Sequence, residues 1–166
     1  MDNLLMRSEQ ELRKHRCCFT GHRPEKLTQP EKEITARLET ALRAAIHDGF
    51  VTFISGMARG VDLWAAEIVL QLRDAGAPIH LICASPYEGF EREWPGNWQR
   101  QYRRVWAEAD YRKFICPSYS RGCFQRRNEW MVDHSARVIA AFNGTRGGTK
   151  NTLDYAARQG VPVVMI

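Results

Sequence analysis

The sequence is short of several features that would assign it to a class at once. No stretch of its 166 residues approaches the ~20 consecutive apolar residues of a membrane span, so no membrane partner is expected. Its five cysteines are odd in number and lack C-x-x-C spacing, which argues against a disulfide framework and against a zinc site. The opening residues, MDNLLMRSEQELRKHR, are too polar for a secretory signal, and the cytoplasm is the expected compartment. There is no Walker A loop and no G-x-G-x-x-G loop. No Pro/Gly/Ser-rich linker, internal repeat or low-complexity segment divides the chain. The expectation is one domain over residues 1–166, with residues 1–15 as an N-terminal extension.

What is present suits a globular domain. Hydrophobic residues make up 44% and charged residues 26%, enough to bury a sizeable core. The net charge of +5 is unevenly placed. Arg100, Arg103, Arg104, Arg112, Lys113, Arg121, Arg126 and Arg127 fall within one segment, against only Glu108 and Asp110. Tyr102, Trp106, Tyr111, Tyr119 and Phe124 interleave with them. Arginine with aromatics can bind single-stranded nucleic acid. A solvated helix face and a small anionic ligand are the alternative accounts.

Short apolar runs alternate with helical periodicity. The runs predict strands over Cys17–Thr20, Phe50–Ser55, Ile79–Ala84, Lys113–Cys116, Val138–Phe142 and Val161–Ile166. Helices are predicted over Glu31–Asp48, Val61–Ala75, Gly96–Ala109, Phe124–Ser135 and Lys150–Gln159. Strands apolar on both faces between helices imply a Rossmann-like, doubly wound, mainly parallel α/β sheet with helices on both faces.

In such a sheet ligands bind beyond the carboxyl ends of the strands, so the loops that follow strands belong together. The most informative is Ser55-Gly56-Met57-Ala58-Arg59-Gly60-Val61-Asp62, where a strand runs into a helix. Its glycines permit close approach, the helix N–H groups lack partners, and Arg59 adds positive charge. An ordinary tight βα turn would use the same glycines. If the loop holds an anion, Gly60→Val should abolish binding while the protein stays folded. Thr20-Gly21-His22-Arg23-Pro24, Pro86-Tyr87 and Arg146-Gly147-Gly148-Thr149 follow other strands. Gly, hydroxyl and Arg together supply backbone donors, adaptable donors and a bidentate fork.

TGHRP, SGMARGVDLWAAE, the Pro86-Tyr87 loop, RRNEWMVDHSARVIAAF and GGTKNTLDYA, in that order, resemble the YpsA-like family of the SLOG superfamily. That superfamily is Rossmann-like and includes the DNA-processing proteins of natural transformation and the lonely-guy phosphoribohydrolases. The resemblance spans Cys17 to Ile166 and implies a pocket for a nucleotide or nucleotide-derived ligand, such as ADP-ribose, NAD or a nucleoside monophosphate. It also implies a homodimer. By resemblance, Ser55, Gly56, Arg59, Gly60 and Asp62 form one phosphate loop, and Gly147, Gly148 and Thr149 form the second. Arg127 and Asn128 match a polar pair at a helix start. The phosphoribohydrolases carry a catalytic Glu where this chain has Thr152, in a shorter loop, which counts against hydrolase activity.

The resulting expectation is a nucleotide-binding sensor or binding module, with the phosphate between the SGMARG and GGT loops. Thr20, Gly21, Arg23, Pro86, Arg127 and Asn128 lie nearby, and Tyr87 meets the base or ribose. Asp62 orients a ribose, acts as a base, or satisfies first-turn N–H groups. His22 contacts phosphate, acts as an acid, or packs on a neighbour. Tyr87 and Trp94 stack on a base or pack their loop. N-glycosidic hydrolysis and single-stranded DNA binding are the alternatives.

Overall fold

The computed structural model describes residues 8–166. The first residues of the N-terminal extension therefore lie outside the described part. Ser8 caps a short helix, α1 (Glu9–Arg13), accepting the Glu11 N–H at 3.3 Å. The chain then alternates β1 (Arg16–Gly21), a 3-10 turn (Pro24–Lys26), α2 (Glu31–His47), β2 (Thr52–Ser55), α3 (Val61–Asp74) and β3 (His80–Ser85). It continues with α4 (Gly96–Glu108), β4 (Tyr111–Phe114), α5 (Cys123–Asp133), β5 (Arg137–Ala141), α6 (Gly148–Gln159) and β6 (Val163–Met165). Neither α1 nor the 3-10 turn shows in the apolar periodicity, because neither buries a residue.

The six strands form one sheet in the order β4-β3-β2-β1-β5-β6, with every pair parallel. Successive side chains of a strand face opposite sides, and β1 shows it plainly. Cys17 and Phe19 enter the core beneath α2 and α3, with Leu38, Leu42, Phe53 and Val69. Cys18 enters the core beneath α5 and α6, with Ile54, Met131, Val138 and Ala156. The sheet is thus covered on both faces, as its apolar central strands require.

The edges depart from expectation. β4 runs Tyr111–Phe114, two residues earlier than the apolar run suggested, and all four of its residues are exposed. It pairs only with β3, so Arg112 and Lys113 meet solvent without cost. The apolar Ile115 and Cys116 follow it, their N–H groups donating to Ser85 O and Pro86 O at 2.9 Å. β6, the other edge, leaves Val164 and Met165 exposed.

The order of the sheet positions the site. From β1 the chain proceeds one way to β2, β3 and β4, then crosses back to place β5 on the other side of β1. The crevice over the carboxyl ends of β1 and β5 is the switch point of the fold.

Candidate functional site

A cavity of about 520 Å³ opens over that crevice, within the size range of small-molecule sites. The end of β1 and the segment after it line it with Thr20, Gly21, His22, Arg23 and Lys26, and the β2–α3 junction with Ala58, Arg59 and Asp62. Phe90 and Trp94 come from the loop after β3. Gly122, Phe124, Gln125, Arg127 and Asn128 come from the start of α5. Gly147, Gly148 and Thr149 come from the start of α6.

The β2–α3 turn closes on itself. The Ser55 hydroxyl donates to Asp62 O at 2.8 Å and accepts the Met57 N–H at 3.2 Å. The Ala58 N–H donates to Asp62 Oδ2 at 3.2 Å. Among the described residues Met57 is the one non-glycine residue with positive φ, at 67°, and it is fully buried. Such backbone strain persists only where packing imposes it. Ser55, Gly56 and Gly60 accordingly stand behind the cavity wall and do not line it. Gly60 has φ 90°, and a Cβ on it would lie 3.0 Å from Pro24 Cδ and 3.2 Å from His22 O. The position is glycine because the β1 loop packs against it. By this contact Gly60→Val is expected to strain the packing of the β1 loop as well as any ligand site.

Arg127 is the electrostatic centre of the cavity. It is only 6% exposed. Its Nε donates to Asn128 Oδ1 at 2.8 Å and its Nη1 donates to Gly56 O. No carboxylate lies within ion-pair distance of it among the described residues. Burial pulls its pKa below the ordinary arginine value, against the attraction of Asp62. Asp62, equally buried, is pushed up to about 6 by desolvation, opposed by Arg127 and by the Ala58 N–H. Among the described residues, Arg23, Lys26, Arg59 and Arg127 line the cavity against Asp62 as its one carboxylate. Arg59 also bonds Glu25 at 3.1 Å. The surplus of charge in the cavity is positive.

Backbone donors add to it. α3, α5 and α6 begin at Gly60, Gly122 and Gly147, and no side chain caps any of these ends. The Leu63 N–H donates to Ala58 O at 3.3 Å and the Cys123 N–H to Ser120 O at 3.1 Å, and helix starts without a side-chain cap favour an anion at their remaining N–H groups. His22 is buried and stacks on Phe142 at 5.6 Å, and its Nε2 has no partner among the described residues. Burial and the nearby Lys26 hold it below the usual histidine value. Thr152 is fully buried, donates to Gly148 O at 2.8 Å and does not line the cavity. Glu67 pairs with Arg104, away from the site.

The aromatic side differs from expectation. Tyr87 does not line the cavity. It stands behind the wall, packed against Phe90 at 5.6 Å, Tyr119 at 5.5 Å and Phe124 at 6.2 Å. Pro86 is also behind, its carbonyl accepting the Cys116 N–H at 2.9 Å and the Cys123 thiol at 3.1 Å. Trp94, expected beside Tyr87, does line the cavity, together with Phe90 and Phe124. The arginines of α4 are not in the cavity: Arg103 pairs with Glu91 at 3.5 Å and Arg104 with Glu67.

Known proteins place this architecture. The YpsA model, described as the YspA SLOG family, matches residues 17–161. The SPbeta prophage-derived protein YoqJ of Bacillus subtilis is 31% identical over 64% of this chain and 69% of its own length. A UPF0398 protein of Bacillus velezensis is 26% identical over 89% of this chain and 88% of its own. Among solved structures, DNA processing protein A of Helicobacter pylori, described for its single-stranded DNA binding mode, superposes with TM-score 0.62 at 21% identity. It is matched over 95% of this chain, which spans 66% of that one. DNA processing protein A of Streptococcus pneumoniae superposes with TM-score 0.65 at 19% identity, over 93% of this chain and 50% of its own. At these identities the structural likeness concerns the fold alone.

Proposed function

The chain belongs to the YspA SLOG family, and we propose that its cavity binds a nucleotide or nucleotide-derived ligand, as a sensor or binding module, with the phosphate on Arg127. One observation carries the reading: a guanidinium 6% exposed, in a cavity, without a carboxylate partner. Burying a charge costs several kcal/mol unless an opposite charge answers it. Asp62 is the nearest answer, yet its own raised pKa leaves it half-protonated near pH 6. An anion in the cavity completes the pair, and the uncapped starts of α5 and α6 add backbone donors to it.

The test is a thermal-shift series with AMP, NAD and ADP-ribose on wild-type protein and on Arg127→Met. A ligand at ~100 Kd adds about 2.7 kcal/mol to folding stability, roughly 5–11 °C for a chain of this size. At least one compound should give such a shift, and Arg127→Met should lose it. No shift with any of them contradicts the reading.

Asp62 favours a second reading, cleavage of an N-glycosidic bond. A carboxyl with a pKa of about 6 is suited to protonate a leaving base. Glycosidic chemistry usually pairs it with a second carboxylate, and none lines this cavity among the described residues. Incubation with a nucleoside monophosphate should therefore release no free base above background. Steady release, abolished by Asp62→Asn, would establish the enzyme instead.

A further inference from the structure

We infer that the cavity is divided by chemistry: Phe90, Trp94 and Phe124 take the base of a free nucleoside phosphate, and Gln125 reads its edge. The inference rests on the nucleotide reading above and names the part of the ligand that reading leaves open. Phe90 and Trp94 come from the loop after β3, and Phe124 and Gln125 from the helix after β4, all on one side of β1 in the sheet order. Gly147, Gly148 and Thr149 come from the loop after β5, on the other side. Arg127 and Asn128, one turn along α5 from Phe124 and Gln125, also line the cavity, and a Cβ on Gly148 would lie 3.8 Å from Asn128 Nδ2, so the anion-binding groups adjoin the aromatic wall on one helix. A nucleoside phosphate likewise joins a planar apolar group to an anion.

The aromatic wall is anchored before any ligand arrives. Phe90 packs edge-on against Trp94 at 4.9 Å and tilted against Phe124 at 5.5 Å. Behind it Tyr87 supports Phe90 and Phe124, and Tyr102 supports Trp94 at 5.7 Å. Tyr102 is itself buried, its hydroxyl donating to Ser85 Oγ at 2.7 Å. Phe124 nevertheless stays 39% exposed, a large ring that the chain does not cover. Gln125, beside it, is half-buried, and its side chain makes no hydrogen bond among the described residues. An amide both donates and accepts, as the edge of a base requires.

A free nucleotide fits better than a polynucleotide strand. A strand needs a continuous basic groove with successive stacking platforms. Here Arg103 and Arg104 of α4 are engaged by Glu91 and Glu67, and no arginine of α4 lines the cavity.

The experiment is calorimetric titration of AMP, ribose 5-phosphate and an oligodeoxyadenylate into wild-type protein, Phe124→Ala and Phe124→Leu. Base–aromatic stacking is worth roughly tenfold or more in affinity. AMP should bind wild-type protein at least tenfold tighter than ribose 5-phosphate. Both Phe124 variants should erase most of that ratio, leaving ribose 5-phosphate unchanged; the leucine variant keeps apolar bulk, so its loss isolates stacking. Equal binding of the two phosphates overturns the base site while leaving the anion site standing. Binding of neither overturns both. An oligodeoxyadenylate that binds tighter than AMP, with steep salt dependence, replaces the free nucleotide by a strand.

Discussion

Asp62 and Arg127 meet over the same small residue: a Cβ on Gly56 would lie 2.9 Å from Asp62 Oδ2 and 3.0 Å from Arg127 Nε. The two side chains come from different helices, α3 and α5. Gly56 lets them share one buried space without being an ion pair, and its carbonyl accepts Arg127 Nη1. The positive surplus of the cavity comes from Arg23, Lys26 and Arg59, which line it beside this pair.

Gly56→Ala should therefore displace one of the two charged groups. Overpacking of this kind costs about 1–3 kcal/mol, so the melting temperature should fall by roughly 2–12 °C. Ligand stabilisation should fall with it. A variant that melts and binds as wild type would show that Asp62 and Arg127 do not depend on that space.

Gly60→Val should unfold more readily than wild type even with no ligand present. The branched side chain meets Pro24 and the His22 carbonyl, at a φ of 90°. Strain at such a position costs on the order of 1–3 kcal/mol before any clash. A thermal melt decides: an unchanged midpoint would mean that the β1 loop gives way, and that Gly60 serves the ligand alone.

Asp62 makes stability depend on pH. Its carboxyl is raised from the ordinary 3.8 to about 6 in the fold, chiefly by burial. The folded protein thus holds this proton more tightly than the unfolded chain. The contribution is full below about pH 4, is lost as pH rises through about 6, and amounts to on the order of 3 kcal/mol. Denaturant unfolding of wild type and Asp62→Asn at about pH 4 and about pH 7.5 isolates it. Wild type should lose stability relative to the variant as pH rises. A constant difference would place the Asp62 proton at the ordinary carboxylate value.

Arg103→Ala and Arg104→Ala should leave nucleotide binding within about twofold of wild type, since neither residue lines the cavity. Both pairs have one exposed member, and such pairs are worth about 0–1 kcal/mol. If single-stranded DNA binds with a steep salt slope that these changes flatten, the basic segment is a nucleic-acid face instead.

The site was legible in the sequence where chemistry sits on backbone turns. Thr20, Gly21, Arg23, Arg59, Asp62, Arg127, Asn128, Gly147, Gly148 and Thr149 were expected together, and the sheet brings them to one cavity. A strand followed by glycine and a helix can be placed from periodicity alone. Ser55, Gly56 and Gly60 show the limit: glycine marks a close approach, not what approaches, and at Gly60 it is Pro24. The aromatic wall was less legible for a related reason. Tyr87, Phe90, Trp94 and Phe124 form one cluster, and only packing from β3, α4 and α5 decides which ring reaches the cavity. β4 was displaced because an exposed edge strand carries no apolar pattern to read.

The most direct measurement is the 31P resonance of AMP titrated with wild-type protein and with Arg127→Met. The phosphorus signal reports the group that Arg127 is proposed to bind. It should shift or broaden with wild type and return to its free position with the variant, while the variant remains folded by circular dichroism. A resonance unmoved by wild-type protein, or moved equally by both proteins, would contradict an anion site centred on Arg127.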